Sequence, residues 1–155
     1  MIAVRNWQKH VNTADEERSA FMKITLGFVR KVFKGLEEGN GEALFKHVSE
    51  SVDWTVMGTH PLAGHYLGKK DFIEGTFTKL AQVLPHGAQL QTENVIVGGN
   101  QAVVELHSLA RAKNGLRFDN RYCWIVYFRE ALIVRVRAYL DSAMVAQLFQ
   151  ENPIK

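Results

Sequence analysis

Residues 113–140 read KNGLRFDNRYCWIVYFREALIVRVRAYL: a turn signal, a long alternating run, a second short break and another alternating run. Asn114-Gly115 favours the tight hairpin turn whose handedness matches strand twist. Glu130-Ala131 separates the two runs. Successive side chains of a strand point to opposite faces. Within 117–129, one parity carries Asn120, Tyr122, Trp124, Val126 and Phe128, and the other Arg121, Cys123, Ile125, Tyr127 and Arg129. The first set is expected to cover a core and the second to face outward. Within 132–140, Leu132, Val134, Val136, Ala138 and Leu140 are expected inward. Ile133, Arg135, Arg137 and Tyr139 are expected outward.

The same texture extends upstream. Segments 89–97 and 101–112 read as strands divided by Gly98-Gly99-Asn100. In 101–112, Glu105, His107 and Arg111 share a parity with Val103 and Leu109, against Val104, Leu106 and Ser108. Neither set is clean, and patterning leaves the choice of face open. Downstream, Asp141 is placed to cap a last helix through Phe149.

The first half is helical. A stripe of Phe21, Phe28, Val32 and Leu36 predicts a helix from Ala14, ended by Gly39-Asn40-Gly41. A short helix from Glu42 to Val48, a strand from Ser51 to Met57 and a turn-rich segment at 58–68 follow. Lys69 to Leu84 repeats the helical period with Ile73, Phe77, Leu80 and Leu84 on one face. Helices first and an antiparallel meander afterwards indicate an α+β fold. Residues 1–155 read as one domain, with 1–13 as a loose arm.

Composition sets the outer bounds. Hydrophobic residues make up 46% and charged residues 23%, the balance of a globular chain. The single cysteine, Cys123, excludes an internal disulfide. No apolar run reaches the roughly 18 residues of a membrane span. A cytoplasmic protein is the expectation. The net charge of +3 sits in the arginines after residue 100. Such a surface suits an acidic partner or nucleic acid, but no nucleic-acid motif accompanies it, so these are expected to be outward strand residues. Phosphate-binding loops, dinucleotide fingerprints and cysteine-rich zinc patterns are absent, so no cofactor is expected. His60 and His65 lack a third ligand in the sequence, so no metal is expected.

Four stretches carry a resemblance: Val52-Asp-Trp-Thr-Val-Met-Gly58, Gly64-His-Tyr-Leu-Gly68, Phe118-Asp-Asn-Arg-Tyr122 and Val136-Arg-Ala-Tyr-Leu-Asp141. In their order and spacing, over about residues 14–150, the chain resembles the nuclear transport factor 2-like superfamily, towards its SnoaL-like branch. The resemblance implies a cone-shaped, cystatin-like roll, with a curved antiparallel sheet around the N-terminal helices. It also implies a pocket between the two and a homodimer through the outer sheet face.

The catalytic sets of relatives do not carry over. The chain resembles ketosteroid isomerase around Thr55-Val-Met-Gly58 and Arg137-Ala138. The base position falls on or beside Thr55, the tyrosine near Val32 or Phe33, and the second aspartate on Trp124. None of the three chemical groups is present. Against limonene epoxide hydrolases, two positions fall on Glu105 and His107 and the third on Ala138. That overlay points Glu105 and His107 into the pocket with Tyr122, Trp124 and Ala138. His107 is then the acid/base candidate, since imidazole titrates near neutrality, and Glu105 orients it or acts itself.

The expected ligand contacts are Trp54, Thr55, Met57, His60, Tyr66, Phe77, Asn120, Tyr122, Trp124, Val136 and Ala138. The expected ligand is a small apolar, carbonyl-bearing or ring-containing molecule. Two functions follow: a cofactor-independent isomerase, cyclase or hydratase, or a non-catalytic dimeric domain that binds a ligand or protein.

Overall fold

The computed structural model describes residues 23–155. The expected arm at 1–13, and the part of the first helix that includes Phe21, lie outside the described residues. Helix α1, Leu26–Glu37, starts where Thr25 leaves helical geometry and its side chain accepts a hydrogen bond from the Phe28 amide. Its buried Val29, Val32, Phe33 and Leu36 form the i, i+3, i+4, i+7 stripe that amphipathic packing requires. Gly39 adopts a positive φ of 73°, and the Asn40 side chain caps the five-residue helix α2, Gly41–Phe45. Strand β1 spans Val48–Val56, β2 Gly64–Leu67, β3 Gln89–Gly98, β4 Gln101–Leu109, β5 Arg121–Arg129 and β6 Leu132–Leu140. Helices α3, Lys69–Gly75, and α4, Phe77–Val83, lie between β2 and β3, and α5, Ser142–Glu151, closes the chain.

The strands form one curved, unclosed sheet of order β2-β1-β6-β5-β4-β3. Every neighbouring pair is antiparallel except β1 with β6. The main core lies between the concave sheet face and α1–α3, around Phe33, Trp54, Phe72, Leu106, Trp124 and Phe128. A second cluster packs α5 against Leu62, Val83, Leu84 and Phe118.

The α+β class and the inward parity of β5 are as the sequence indicates. Several details differ. In β6, Ile133 is fully buried and Leu132 exposed, the reverse of simple alternation. Between the pairs Tyr127–Arg135 and Phe128–Ile133, β6 carries one extra residue, Val134, so Ile133 and Val136 both point inward and Val134 does not. Strands β4 and β5 stop short of the Asn-Gly turn. The intervening hairpin is held by the isolated Arg111–Arg117 bridge, and Asn114 docks it on the end of α5 through Asn152. The helix expected over Lys69 to Leu84 breaks at Thr76 (φ −128°, ψ −76°), whose hydroxyl donates to the Phe72 carbonyl at 2.7 Å. The turn-rich segment contains β2, an edge strand on β1.

Gly58 sits at the turn that returns β1 toward α5. Its φ is +113°, and a Cβ there would collide with Ser142 Oγ and stand 2.9 Å from His60 Cδ2. Gly98 has open space around a Cβ. Gly58→Ala should therefore destabilise the fold by about 2–3 kcal/mol, whereas Gly98→Ala stays within about 1 kcal/mol. Urea unfolding of the two variants checks this. Equal midpoints would show that the Gly58 conformation is not required.

Candidate functional site

A cavity of about 320 Å³ lies between the concave sheet face and the helices. Strand alternation supplies one wall: Trp54 and Val56 from β1, Ala138 and Leu140 from β6, Tyr122 and Trp124 from β5, and Leu90 from β3. Leu36, Phe72, Phe77, Leu80 and Ala81 supply the helical wall, and Leu62, Gly87 and Ala88 come from loops. The sheet wall and the helices meet through rings. Trp54 stacks on Phe72 with centroids 3.8 Å apart, and its edge meets Trp124 at 5.3 Å. Tyr122 stands 6.4 Å from Trp124 in a T-shaped pair.

The polar content of this surface is small. Among the described residues, no carboxylate, imidazole, ammonium or guanidinium side chain lines the cavity. Thr76 is committed to the Phe72 carbonyl. The indole N–H groups of Trp54 and Trp124 are buried without a hydrogen-bond partner among the described residues. The Tyr122 hydroxyl donates a long 3.4 Å bond to Ser108 Oγ. Ser108 in turn donates to the Phe118 carbonyl at 2.8 Å and accepts the Asn120 amide at 2.9 Å. Burial pushes the Tyr122 phenol up to about 12, with the Ser108 bond opposing part of the rise. The phenol is therefore a neutral hydrogen-bond donor at any physiological pH.

Of the residues expected in the pocket, Trp54, Phe77, Tyr122, Trp124 and Ala138 line it. Val136 is buried in the core on the same face. Tyr66 packs its edge on Phe72, and its hydroxyl donates to the Leu62 carbonyl, fixing the loop after β1. Asn120 is fully buried but bonds both backbone groups of Asp141, joining the start of β5 to the cap of α5. The Asp141 side chain accepts from the Met144 amide, as expected of a cap. His60 is also buried and occupied: Nδ1 accepts the Leu62 amide, so Nε2 carries the proton given to the Met57 carbonyl at 2.9 Å. Met57 is half-buried and outside the lining. Thr55 faces outward, paired with Arg137 and His65 across the neighbouring strands.

The placement of Glu105 and His107 is a correction. Both lie on the convex face. Their inward neighbours are Ala102, Val104, Leu106 and Ser108, all buried. In the β4–β5 register, Val104 pairs with Trp124 and Leu106 with Tyr122, whereas Glu105 pairs with Cys123 and His107 with Arg121. Successive side chains alternate along β4, so burying 102, 104, 106 and 108 turns Glu105 and His107 to the other face. Glu105 is exposed and accepts from Asn94 at 3.0 Å. His107 Nδ1 lies 3.1 Å from Glu93 Oε1, and Arg121 pairs with the same carboxylate. The Arg121 hydrogen bond is the main cause holding the Glu93 carboxyl below its usual range. Burial, then the Glu105 charge, pushes the Cys123 thiol up, away from nucleophile behaviour. Among the described residues, no group of three or more His, Cys, Asp or Glu side chains is arranged to hold a metal. Leu62, Leu90, Gly87 and Ala88 were not foreseen in the lining. Leu90 could have been found by extending the strand parity of 89–97, but loop residues give no periodic signal.

The sequence profile of the SnoaL-like domain matches residues 29–136, and the chain belongs to that family. A curated relative is the dimerizing cyclase phiC of a fungal species (strain ATCC 74256), 25% identical over 144 residues. The match covers 90% of this chain, which spans 63% of that relative's length. Among solved structures, an NTF2-like protein from Burkholderia thailandensis superposes with a TM-score of 0.70 at 18% identity, covering 80% of this chain and 95% of the other. TerC, co-crystallized with polyporic acid, superposes with a TM-score of 0.64 at 20% identity, covering 81% of this chain and 97% of TerC. These likenesses establish a nuclear transport factor 2-like fold. Among the described residues, no helix is long and apolar enough to cross a membrane.

The Tyr122 environment has a measurable sign. A phenol whose folded pKa is raised leaves stability intact below its unfolded value near 10, and costs stability as pH climbs toward about 12. Thermal melts of the wild type and Tyr122→Phe should run parallel below pH about 10. Above it the wild type should lose more stability than the variant. Parallel loss across the whole range would show that the Tyr122 phenol is not buried.

Proposed function

We propose that this chain binds a small, flat, largely apolar molecule carrying a hydrogen-bond acceptor, and guides its isomerisation or cyclisation without a cofactor. The observation that carries this reading is the ring-lined cavity with Tyr122 as its neutral donor. The cavity size matches a molecule of two or three fused rings, and the adjacent faces of Trp54, Phe72 and Trp124 suit a planar ligand. The Tyr122 hydroxyl would supply the directional contact by exchanging its long Ser108 bond for a carbonyl oxygen. With no ionisable group in the lining except this phenol among the described residues, the proposed contribution to rate is orientation and a preorganised hydrogen bond. The likeness to a cyclase supports this class of reaction.

A homodimer through the convex face is part of the proposal. A row of Ile96, Val103 and Ile125 crosses β3, β4 and β5 in register, and Ile96 is 59% exposed. Arg121, Arg135 and Glu105 surround it and would form the polar rim. Ile96→Glu should convert a sedimenting dimer into a monomer with unchanged circular dichroism. A monomeric wild type would remove dimerisation from the proposal. The half-buried free thiol of Cys123 is consistent with a reducing compartment such as the cytoplasm.

Binding can be tested with fluorenone and its hydrocarbon counterpart fluorene, using calorimetry. Fluorenone should bind about fivefold more tightly, the worth of one neutral hydrogen bond, and Tyr122→Phe should remove that margin. Ala138→Phe, which fills the space beside Trp124, should abolish binding of both. Failure of both probes to bind, or binding unaffected by Ala138→Phe, would sink the proposed site.

A further inference from the structure

A second concavity, of about 650 Å³, lies beside the apolar cavity, and the two share Gly87 as a lining residue. The segment that separates them alternates between the two. Ala88 and Leu90 line the apolar cavity, and Gln89 lines the second groove. Gly87 has a positive φ of 69° and no side chain, so the rim between the two spaces is low at that point.

The groove is basic. Arg111 and Arg117 come from opposite arms of the hairpin between β4 and β5 and are direct bridge partners. Like charges placed opposite one another across a strand pair are destabilising, so this arrangement needs compensation. Asp119 supplies part of it by pairing with Arg117. Arg111 has only the Gly115 carbonyl, at 3.2 Å, and no carboxylate partner among the described residues. His86 lies in the same groove. Of the two guanidiniums, the Asp119 carboxylate compensates Arg117 and leaves that of Arg111 facing the groove that adjoins the apolar cavity at Gly87.

We infer that the ligand of this protein is an amphiphilic carboxylic acid: its ring system occupies the apolar cavity, and its carboxylate crosses the Gly87 rim to Arg111. One uncompensated guanidinium matches a monoanion, and its planar fork matches a carboxylate in two parallel hydrogen bonds. A phosphate dianion would leave charge unmatched. The inference rests on the apolar cavity being a ligand site and adds the headgroup that the cavity itself does not supply.

Two probes separate the headgroup from the ring: naphthylacetic acid and the neutral naphthylethanol, titrated calorimetrically into the full chain. The acid should bind at least about tenfold more tightly at about 50 mM salt, with the margin shrinking at about 500 mM. Arg111→Gln should remove the margin while leaving naphthylethanol affinity unchanged, which also shows that the variant keeps its cavity. Equal affinity of the two probes, or an acid preference that survives Arg111→Gln, overturns the headgroup assignment and leaves the ring site standing. Failure of both probes to bind overturns the ring site and the inference with it.

Discussion

The stack of Trp54 on Phe72 is the contact around which the rest is arranged. It ties α3 to β1, and Phe72 also makes edge contacts with Tyr66 and Phe77 and a tilted contact with Phe45. Aromatic pairs of this kind contribute about 0.5–1.5 kcal/mol each beyond the area they bury. Their rigidity matters as much as their energy. A leucine or methionine can change rotamer to fill a gap, whereas a fused ring stacked on one ring and met by another at right angles has little freedom to do so. Trp54 is therefore a fixed spacer between helix and sheet. The small side chain of Ala138, paired with Val56 on one side and Trp124 on the other, then leaves unfilled volume at the centre of the wall. The cavity follows from large rigid residues placed beside a small one.

Parts of this arrangement were legible because the signals are local. The inward set of β5, the Asp141 cap and the Asn114-Gly115 turn each depend on a few adjacent residues. Tyr122 and Trp124 belong to that inward set, whereas the pocket they were expected to line was implied by the family resemblance. The orientation of β4 could not be read from its own residues, since each face mixes polar and apolar side chains. Its partners hold the answer: Trp124 and Tyr122 must be flanked by residues that tolerate desolvation, and Val104 with Leu106 meet that condition where Glu105 with His107 do not. The register with β5 therefore settles the face of β4. The bulges on β1, β3 and β6 were invisible for a related reason. They answer the curvature of the whole sheet and leave no mark in a two-residue period.

Buried polar groups mark a further class of side chain that composition cannot interpret. His60 and Asn120 are the kind of residue that draws a functional assignment, yet each is spent on the backbone. His60 uses both ring nitrogens on the turn after β1. Asn120 uses its amide on both backbone groups of Asp141. Loops and caps buried under α5 must find partners for their amides and carbonyls, and these side chains are the partners. Their role is to hold the cavity's rim in place.

The charges show the same division of labour at larger scale. Asp53 with His65 and Arg135, and Glu93 with His107 and Arg121, are paired on the convex face, where solvent screens them and their contribution to stability is small. The concave face has the neutral Tyr122 phenol and two indoles without a hydrogen-bond partner among the described residues. A low-polarity wall strengthens each hydrogen bond formed inside it, and among the described residues this one offers no carboxylate or imidazole to take a proton. Under the proposed function, reactivity would come from the substrate, with the protein selecting one folded conformation and steadying one oxygen. Ring closure and isomerisation of a polyunsaturated or carbonyl-bearing molecule meet that condition, because the reacting atoms belong to one molecule and alignment is a large part of the barrier.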